Sequence, residues 1–410
     1  MPSLAGSRLL MTADAVGGVW TYALDLARGL APLGMHTTLV VLGPEPSSDQ
    51  IDEAAAVPGL TLATTGLPLD WMAESAGEVR RTAEAVAAMV GEHALVHLNS
   101  PALAGLAAFE RPVIGVAHSC VRTWWAAVHD GSALPRDLAW RAELLANGYR
   151  RCDRLLAPTR SFAAATTAAY DLAERPTVVA NGRSQTRQAE EAKSDVSKHA
   201  ERSSALRDEP LRSSPRHGEV GGRGKVYAFT AGRLWDEGKG VALLDTAAAA
   251  IRIPVRAAGP TAGPNGARIE LATIEMLGRL NETELAAAFA ERPIFVSPAL
   301  YEPFGLAVLE AAASRCALVL SDIPTFRELW EDAAVFVPPR SATALASAVN
   351  ALADDSGRRA EWGHAAAERS RRYRLGPFVD GMAAVYRDVL GAPATAARNR
   401  PAAAALEAVP

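Results

Sequence analysis

Short apolar strands alternate with helical stretches along most of this chain, and that alternation restricts the fold more than any single motif. Arg8–Thr12 (RLLMT) is a strand, DAVGG a loop, and VWTYALDLARGLAPLG a helix closed by Gly34, after which TTLVVLG returns as a second strand. Further strands are expected at 94–99, 113–118, 154–159 and 177–181, with helical patterns between them. The pattern stops after Asn181-Gly182. Arg183 to Gly224 is rich in Ser, Arg, Glu, Gly and Lys and has too little apolar content to offset its ordering entropy, so it reads as a flexible linker or insertion. A second series then runs through 226–233, 253–259, 272–278, 293–299, 317–322 and 333–339. Within it NETELAAAFAE opens with Asn281 as N-cap and Glu284 three residues on. Pro377 to Leu390 reads as a last helix, and 391–410 as a disordered Ala/Pro tail. Alternation of this kind implies parallel sheets covered on both faces. The expected fold is α/β, two Rossmann-like doubly wound domains over 1–182 and 225–376, joined by 183–224, with ligands beyond the C-terminal strand ends.

Bulk properties narrow the function classes. The 410 residues are 49% hydrophobic and 21% charged, as in a soluble globular protein of two or three domains. A formal net charge of −4 lacks the basic footprint of a nucleic-acid binder. No run reaches the ~18 apolar residues of a membrane span, and MPSLAGSRLLMTAD has no signal-peptide pattern, so a cytoplasmic protein is expected. Cys120, Cys152 and Cys316 form no metal-ligand spacing and read as buried thiols. Only four of the 42 basic residues are lysines, which gives Lys239, inside a motif, added interest.

The most informative stretch is SPALYEPFGLAVLEAAASR, 297–315. A helix begun at Gly305-Leu306 places Glu310 on the apolar face shared by Leu306, Leu309 and Ala313. Glu302 waits in the turn before it. The free N–H groups of that helix point at the strand ends, an anion site by geometry and dipole, and a desolvated carboxylate on its face calls for hydrogen-bond donors such as sugar hydroxyls. In TAGRLWDEGKG (230–240), Arg233 and Lys239 suit a diphosphate leaving group, or else form local ion pairs with Asp236 and Glu237. Gly17 and Gly18 allow backbone approach to a phosphate, or simply make a turn. Their loop lacks the GxGxxG of a dinucleotide site. His118 follows an apolar strand where catalytic groups gather, although a lone histidine also reads as structural. Trp124 and Trp125 read as core aromatics, or as a surface for a sugar or lipid-linked acceptor.

These residues resemble a known family. YEPFGLAVLE is similar to the E-x7-E motif of retaining glycosyltransferases with the GT-B fold, particularly family 4, and AGRLWDEGKG resembles that family's phosphate loop. LGRLNETELAAAFAERPIFVSP, VLSDIPTFRELWEDAAVFVPP and the N-terminal VGGVWTYALDLARGLAPLG follow its order as well. The resemblance implies that Arg233 and Lys239 hold a donor diphosphate and stabilise its developing charge. It places Glu310 on the nucleotide ribose, Glu302 near the donor sugar, and the backbone N–H groups of Phe304, Gly305 and Leu306 on sugar and phosphate. The base rests near Met276–Gly278, Gly17-Gly18 face the donor across the cleft, and His118 contacts the sugar. The 377–390 helix crosses back to the N-terminal domain. Two departures stand out: one extra residue between Arg233 and Lys239, and the long 183–224 segment.

By this resemblance Glu302, His118, Arg233 and Lys239 carry a retaining, metal-independent transfer from a nucleotide sugar. No cofactor is expected, and the partners are the donor and a carbohydrate or lipid-linked acceptor, with peripheral contact at the inner membrane surface an open question. The alternatives are a GT-B isomerase or phosphorylase, and a sugar-nucleotide binding protein without catalysis.

Overall fold

A computed structural model describes residues 2–184 and 226–392. The described strands form two sheets in which every pairing is parallel. The first contains β1 (Arg8–Asp14), β2 (His36–Leu42), β3 (Leu60–Thr64), β4 (Leu95–Leu98), β5 (Val113–Val116), β6 (Arg154–Ala157) and β7 (Thr177–Val178), in the order β3-β2-β1-β4-β5-β6-β7. The second contains β8 (Ala228–Ala231), β9 (Val255–Ala258), β10 (Glu275–Gly278), β11 (Ile294–Ser297), β12 (Ala317–Ser321) and β13 (Val335–Val337), in the order β10-β9-β8-β11-β12-β13. Strand order reverses direction between β1 and β4 in one sheet and between β8 and β11 in the other. Loops at those two points part to opposite faces and leave a crevice at the strand ends.

Central strands are near-continuous apolar runs because both of their faces are covered: Leu9, Leu10 and Met11 of β1 are all fully buried. β3 was not expected from the sequence. It is a five-residue edge strand with three half-buried and two exposed residues, so no fully buried apolar run marks it. Its register is set instead by pairing with β2, from Thr37 opposite Leu60 to Val41 opposite Thr64.

Helix Leu375–Gly391 does not pack on the sheet that precedes it in sequence. Phe378, Val379, Met382, Ala383 and Tyr386 join the core cluster of the first domain, against helix Gly18–Leu30. Close crossing requires Gly29, since a Cβ there would fall 2.1 Å from Val379 Cγ2. Tyr386 reaches the centre of the first sheet, where its hydroxyl lies 2.7 Å from His97 Nδ1.

Both passages of chain between the domains meet at one place. Arg183 N donates to Tyr373 O (3.1 Å) and Leu375 N donates to Arg183 O (3.0 Å), a short parallel bridge between Arg183 and Arg374. Gly182 permits it, because a Cβ there would lie 2.3 Å from Arg374 O. This corrects the linker expectation at its start: Arg183 is buried and hydrogen-bonded, not the first residue of a polar connector. The rest of that segment, from 185, lies outside the described residues, as does the tail from 393.

Removing the Tyr386 hydroxyl orphans a buried imidazole nitrogen without changing the packing. Tyr386→Phe should therefore cost about 1–3 kcal/mol, read as a lower urea midpoint with an unchanged slope. An unchanged midpoint would show that the helix docks by apolar contact alone.

Candidate active site

The loop after β8 is organised by one carboxylate. Asp236 accepts from Gly238 N (3.0 Å) to start the turn Glu237–Lys239, from Arg233 Nη2 (3.0 Å), and from Trp124 Nε1 of the first domain (3.1 Å). The local ion pair expected of Arg233 is present, whereas Lys239 turns the other way. Its Nζ donates to Glu302 Oε2 at 2.5 Å. Lys239 is the only lysine among the described residues.

The turn after β11 lies against this loop. Leu300 N and Tyr301 N both donate to Gly238 O (2.9 and 3.1 Å). Gly240 comes so near that a Cβ would sit 2.2 Å from Pro298 O. Gly305, at φ +89°, turns the chain into helix Leu306–Ala313, whose N-terminus has no side-chain cap. The uncapped N–H groups open on a small recess lined by Thr230, Arg233, Lys239, Ser297, Glu302 and Gly305. Cations, helix dipole and free donors thus converge on one anion-binding concavity. Phe304 contributes only backbone, because its ring is buried against Tyr373, centroids 5.6 Å apart.

Across the cleft stand Gly17 and Gly18. A Cβ on Gly17 would lie 3.5 Å from Arg233 Cδ, and one on Gly18 3.4 Å from Leu306 Cδ1. The two glycines therefore face the phosphate loop and the helix start directly. His118 stands behind them, with Nε2 2.7 Å from Asn99 Oδ1. Asn99 donates its amide nitrogen to Thr12 O (2.7 Å), so its oxygen faces both His118 and His97 Nε2 (3.1 Å). Both rings must then carry their proton on Nε2, which assigns Nδ1 of His118 as an acceptor. Burial, and then the neighbouring His97, pushes His118 down to about 3. It is a neutral imidazole.

Glu310 is buried, yet its counter-charge is the protein's own. Arg183 Nε lies 2.9 Å from Glu310 Oε1, which corrects the expectation that bound hydroxyls alone answer this carboxylate. Burial raises the Glu310 carboxyl above the usual range while Arg183 draws it back. Gly278, at the end of β10, stands apart from these groups. It lies in open space on the exposed edge strand, with φ +72°.

Several site residues left no signal in the sequence. Cys120 N donates to Tyr301 Oη (2.9 Å), Thr159 Oγ1 to Pro303 O (3.2 Å), and Arg160 N and Ser161 N to the Glu328 carboxylate (2.8 and 2.7 Å). Each joins segments more than a hundred residues apart, beyond the reach of any spacing rule. Trp124 belongs with them. It is half-buried and bonded to Asp236 across the cleft, neither a core residue nor a free surface, while Trp125 stacks on His129 at 3.7 Å.

The wall formed by the first domain also holds Asp70, which accepts from Ser100 Oγ (3.3 Å) and is pushed up to about 6 by burial, with Asp14 adding to the rise. A carboxyl with a higher value folded than unfolded binds its proton more tightly in the native state. Its contribution to stability is complete below the unfolded value of about 4 and is lost as pH rises to about 6. Relative to wild type, Asp70→Asn should therefore gain stability between pH 4 and 6, in urea titrations at stepped pH. Parallel pH profiles would remove Asp70 as the cause.

Known proteins resemble this chain in sequence and in fold. Residues 16–187 match the model of Glycosyltransferase Family 4, and residues 267–369 that of Glycosyl transferases group 1. A phosphatidyl-myo-inositol mannosyltransferase of Mycolicibacterium smegmatis is 31% identical over 122 residues, 29% of this chain and 32% of the relative. A glycogen synthase of Mycobacterium tuberculosis is 39% identical over 87 residues, 21% of each chain. The matched stretches thus span a third or less of these relatives. Among solved structures, sucrose-phosphate synthase from Thermosynechococcus elongatus superposes with a TM-score of 0.72 at 17% identity, over 94% of this chain and 99% of that one. HepE of Anabaena in complex with UDP-glucose does so with 0.66 at 16%, over 93% and 99%. These likenesses show the GT-B fold. One family model on each half, in the order of the two domains, shows that the chain belongs to the group 1, family 4 glycosyltransferases.

Proposed function

We propose that this protein transfers a sugar from a nucleoside diphosphate donor to an acceptor hydroxyl, with retention at the anomeric carbon and without a metal. The observation that carries the reading is the convergence of Arg233, Lys239 and the uncapped N-terminus of helix Leu306–Ala313 on one recess, opposite Gly17-Gly18. Two cations and a row of N–H groups meet the charge of a diphosphate, and they strengthen their hold as it leaves. In this reading Glu302, Phe304, Gly305 and Leu306 surround the donor sugar and phosphate, Glu310 meets the ribose, and Gly278 borders the base. Neutral His118 accepts from a sugar hydroxyl through Nδ1.

The chemistry follows from that placement. The bond from the anomeric carbon to the phosphate oxygen breaks, and the leaving oxygen takes the proton of the acceptor hydroxyl on the same face. The acceptor oxygen then bonds to that carbon with its configuration kept. Closure of the domains excludes water from the exchange. No helix among the described residues is long and apolar enough to cross a membrane. The acceptor is thus one that reaches the cleft from solution or from a surface, and flotation with anionic vesicles separates the two.

A thermal-shift panel of UDP-glucose, GDP-mannose, ADP-glucose and TDP-glucose tests the donor class. At a hundredfold excess over the dissociation constant the bound donor adds about 2.7 kcal/mol. No stabilisation by any of them would sink the reading. With the donor so found, Lys239→Ala should lower kcat/KM roughly 10²–10³-fold, and Glu302→Gln should lower kcat. The anomeric configuration of the product, followed by NMR, decides retention.

A further inference from the structure

The residue that binds the domains together most densely is not among the donor groups. Arg183 stands where the two passages between domains are bonded to each other, its backbone fixed by Tyr373 O and Leu375 N. From that point its guanidinium spreads to three carboxylates on both sides. Nη1 lies 2.7 Å from Asp25 Oδ2 on helix Gly18–Leu30, Nη2 3.2 Å from Glu282 Oε1, and Nε 2.9 Å from Glu310 Oε1. The Asp25, Arg183 and Glu310 side chains are only 2%, 10% and 10% exposed, so these charges interact with little screening. Arg28 Nη1 takes the other Asp25 oxygen at 2.9 Å.

Resting on the nucleotide-sugar reading, we infer that Arg183 is a positioning residue for the donor ribose: it fixes the Glu310 carboxylate from the hinge and ties it, through Asp25, to the opposite domain. The geometry explains why this must be arginine. One planar fork addresses three acids in three directions, whereas a lysine ammonium is a single compact charge that cannot span them. Glu310 sits on an otherwise apolar helix face and has no orientation of its own to rely on. The arginine holds it by charge at 2.9 Å, without an aligned hydrogen bond, and makes its placement depend on the angle between the domains.

Two ligands separate this role from simple structural support. Inorganic pyrophosphate carries the charge read by Arg233 and Lys239 but has no ribose, and the nucleoside diphosphate that scores in the donor panel has both. Calorimetric titration of Arg183→Lys should show the nucleotide about tenfold weaker or more, with pyrophosphate unchanged. Equal loss of both ligands would mark Arg183 as general scaffolding and overturn the inference. The double variant Arg183→Lys with Glu310→Gln should bind the nucleotide no worse than Glu310→Gln alone, because the arginine acts through that carboxylate; additive losses would overturn it. Should Glu310→Gln prove unstable, Asp25→Asn reports from the other end of the network, and must also weaken the nucleotide selectively. Wild-type protein that binds no nucleoside diphosphate fails the donor reading, and this inference with it. Wild-type binding that Arg183→Lys leaves intact fails this inference alone.

Discussion

A parallel sheet sends all its βα loops out at the same edge, and this constraint determines where chemistry can occur in the molecule. Each sheet here has one position where successive crossovers diverge, β1 against β4 and β8 against β11. Asp14 ends β1 and Gly17 and Gly18 follow it, while Asn99 follows β4. The Arg233–Lys239 loop follows β8, and Glu302 follows β11. These two switch points bring four loops together at the strand ends. The cleft follows from strand order, and the side chains then decide what it does.

Holding two such edges face to face needs bonds across the gap, and the structure distributes them around its rim. Trp124 meets Asp236, Thr159 meets Pro303 O, and the Glu328 carboxylate caps the start of helix Arg160–Tyr170 from the other domain. Arg340 Nη2 donates to Val128 O at 2.6 Å. Individually these are modest contacts, many of them partly exposed and worth little when isolated. Arg183 differs because its partners Asp25 and Glu310 are buried, so removing it would leave carboxylates desolvated and unpaired. The buried charge contact between the domains is therefore at Arg183, with the more exposed contacts on the rim.

What could be read from the amino-acid order follows the same division. Buried strands such as RLLMTAD, the capping box at Asn281 and Glu284, and the glycine turn at Gly305 carry local signals, and all were legible. The Arg233, Lys239, Glu302 and Glu310 set was legible because its members sit within short motifs. Edge strand β3 was not, since an edge lacks the burial that produces a period. Arg183 was misread for a different reason. It follows Asn181-Gly182 and opens a polar run, and composition alone says linker. Only the return of Tyr373–Leu375 to the same point, nearly two hundred residues later, gives its backbone partners and buries its charge. Asp236 looked like a local counter-ion, and nothing nearby in sequence announces Trp124.

The two cations of the recess are held unequally, and the difference bears on how a diphosphate could displace their partners. Asp236 is fixed by two bonds to Oδ1, from Gly238 N of its own loop and from Trp124 Nε1, while Oδ2 meets Arg233. Glu302 belongs to the turn before the helix and meets Lys239 through one oxygen. In the donor reading an incoming phosphate takes Lys239 from Glu302. This frees the Glu302 carboxylate beside the sugar at the moment its hydroxyls arrive, while Arg233 keeps its position and offers its remaining N–H groups. A lysine suits the exchangeable half, being a mobile point charge, and an arginine the fixed half, with donors to spare.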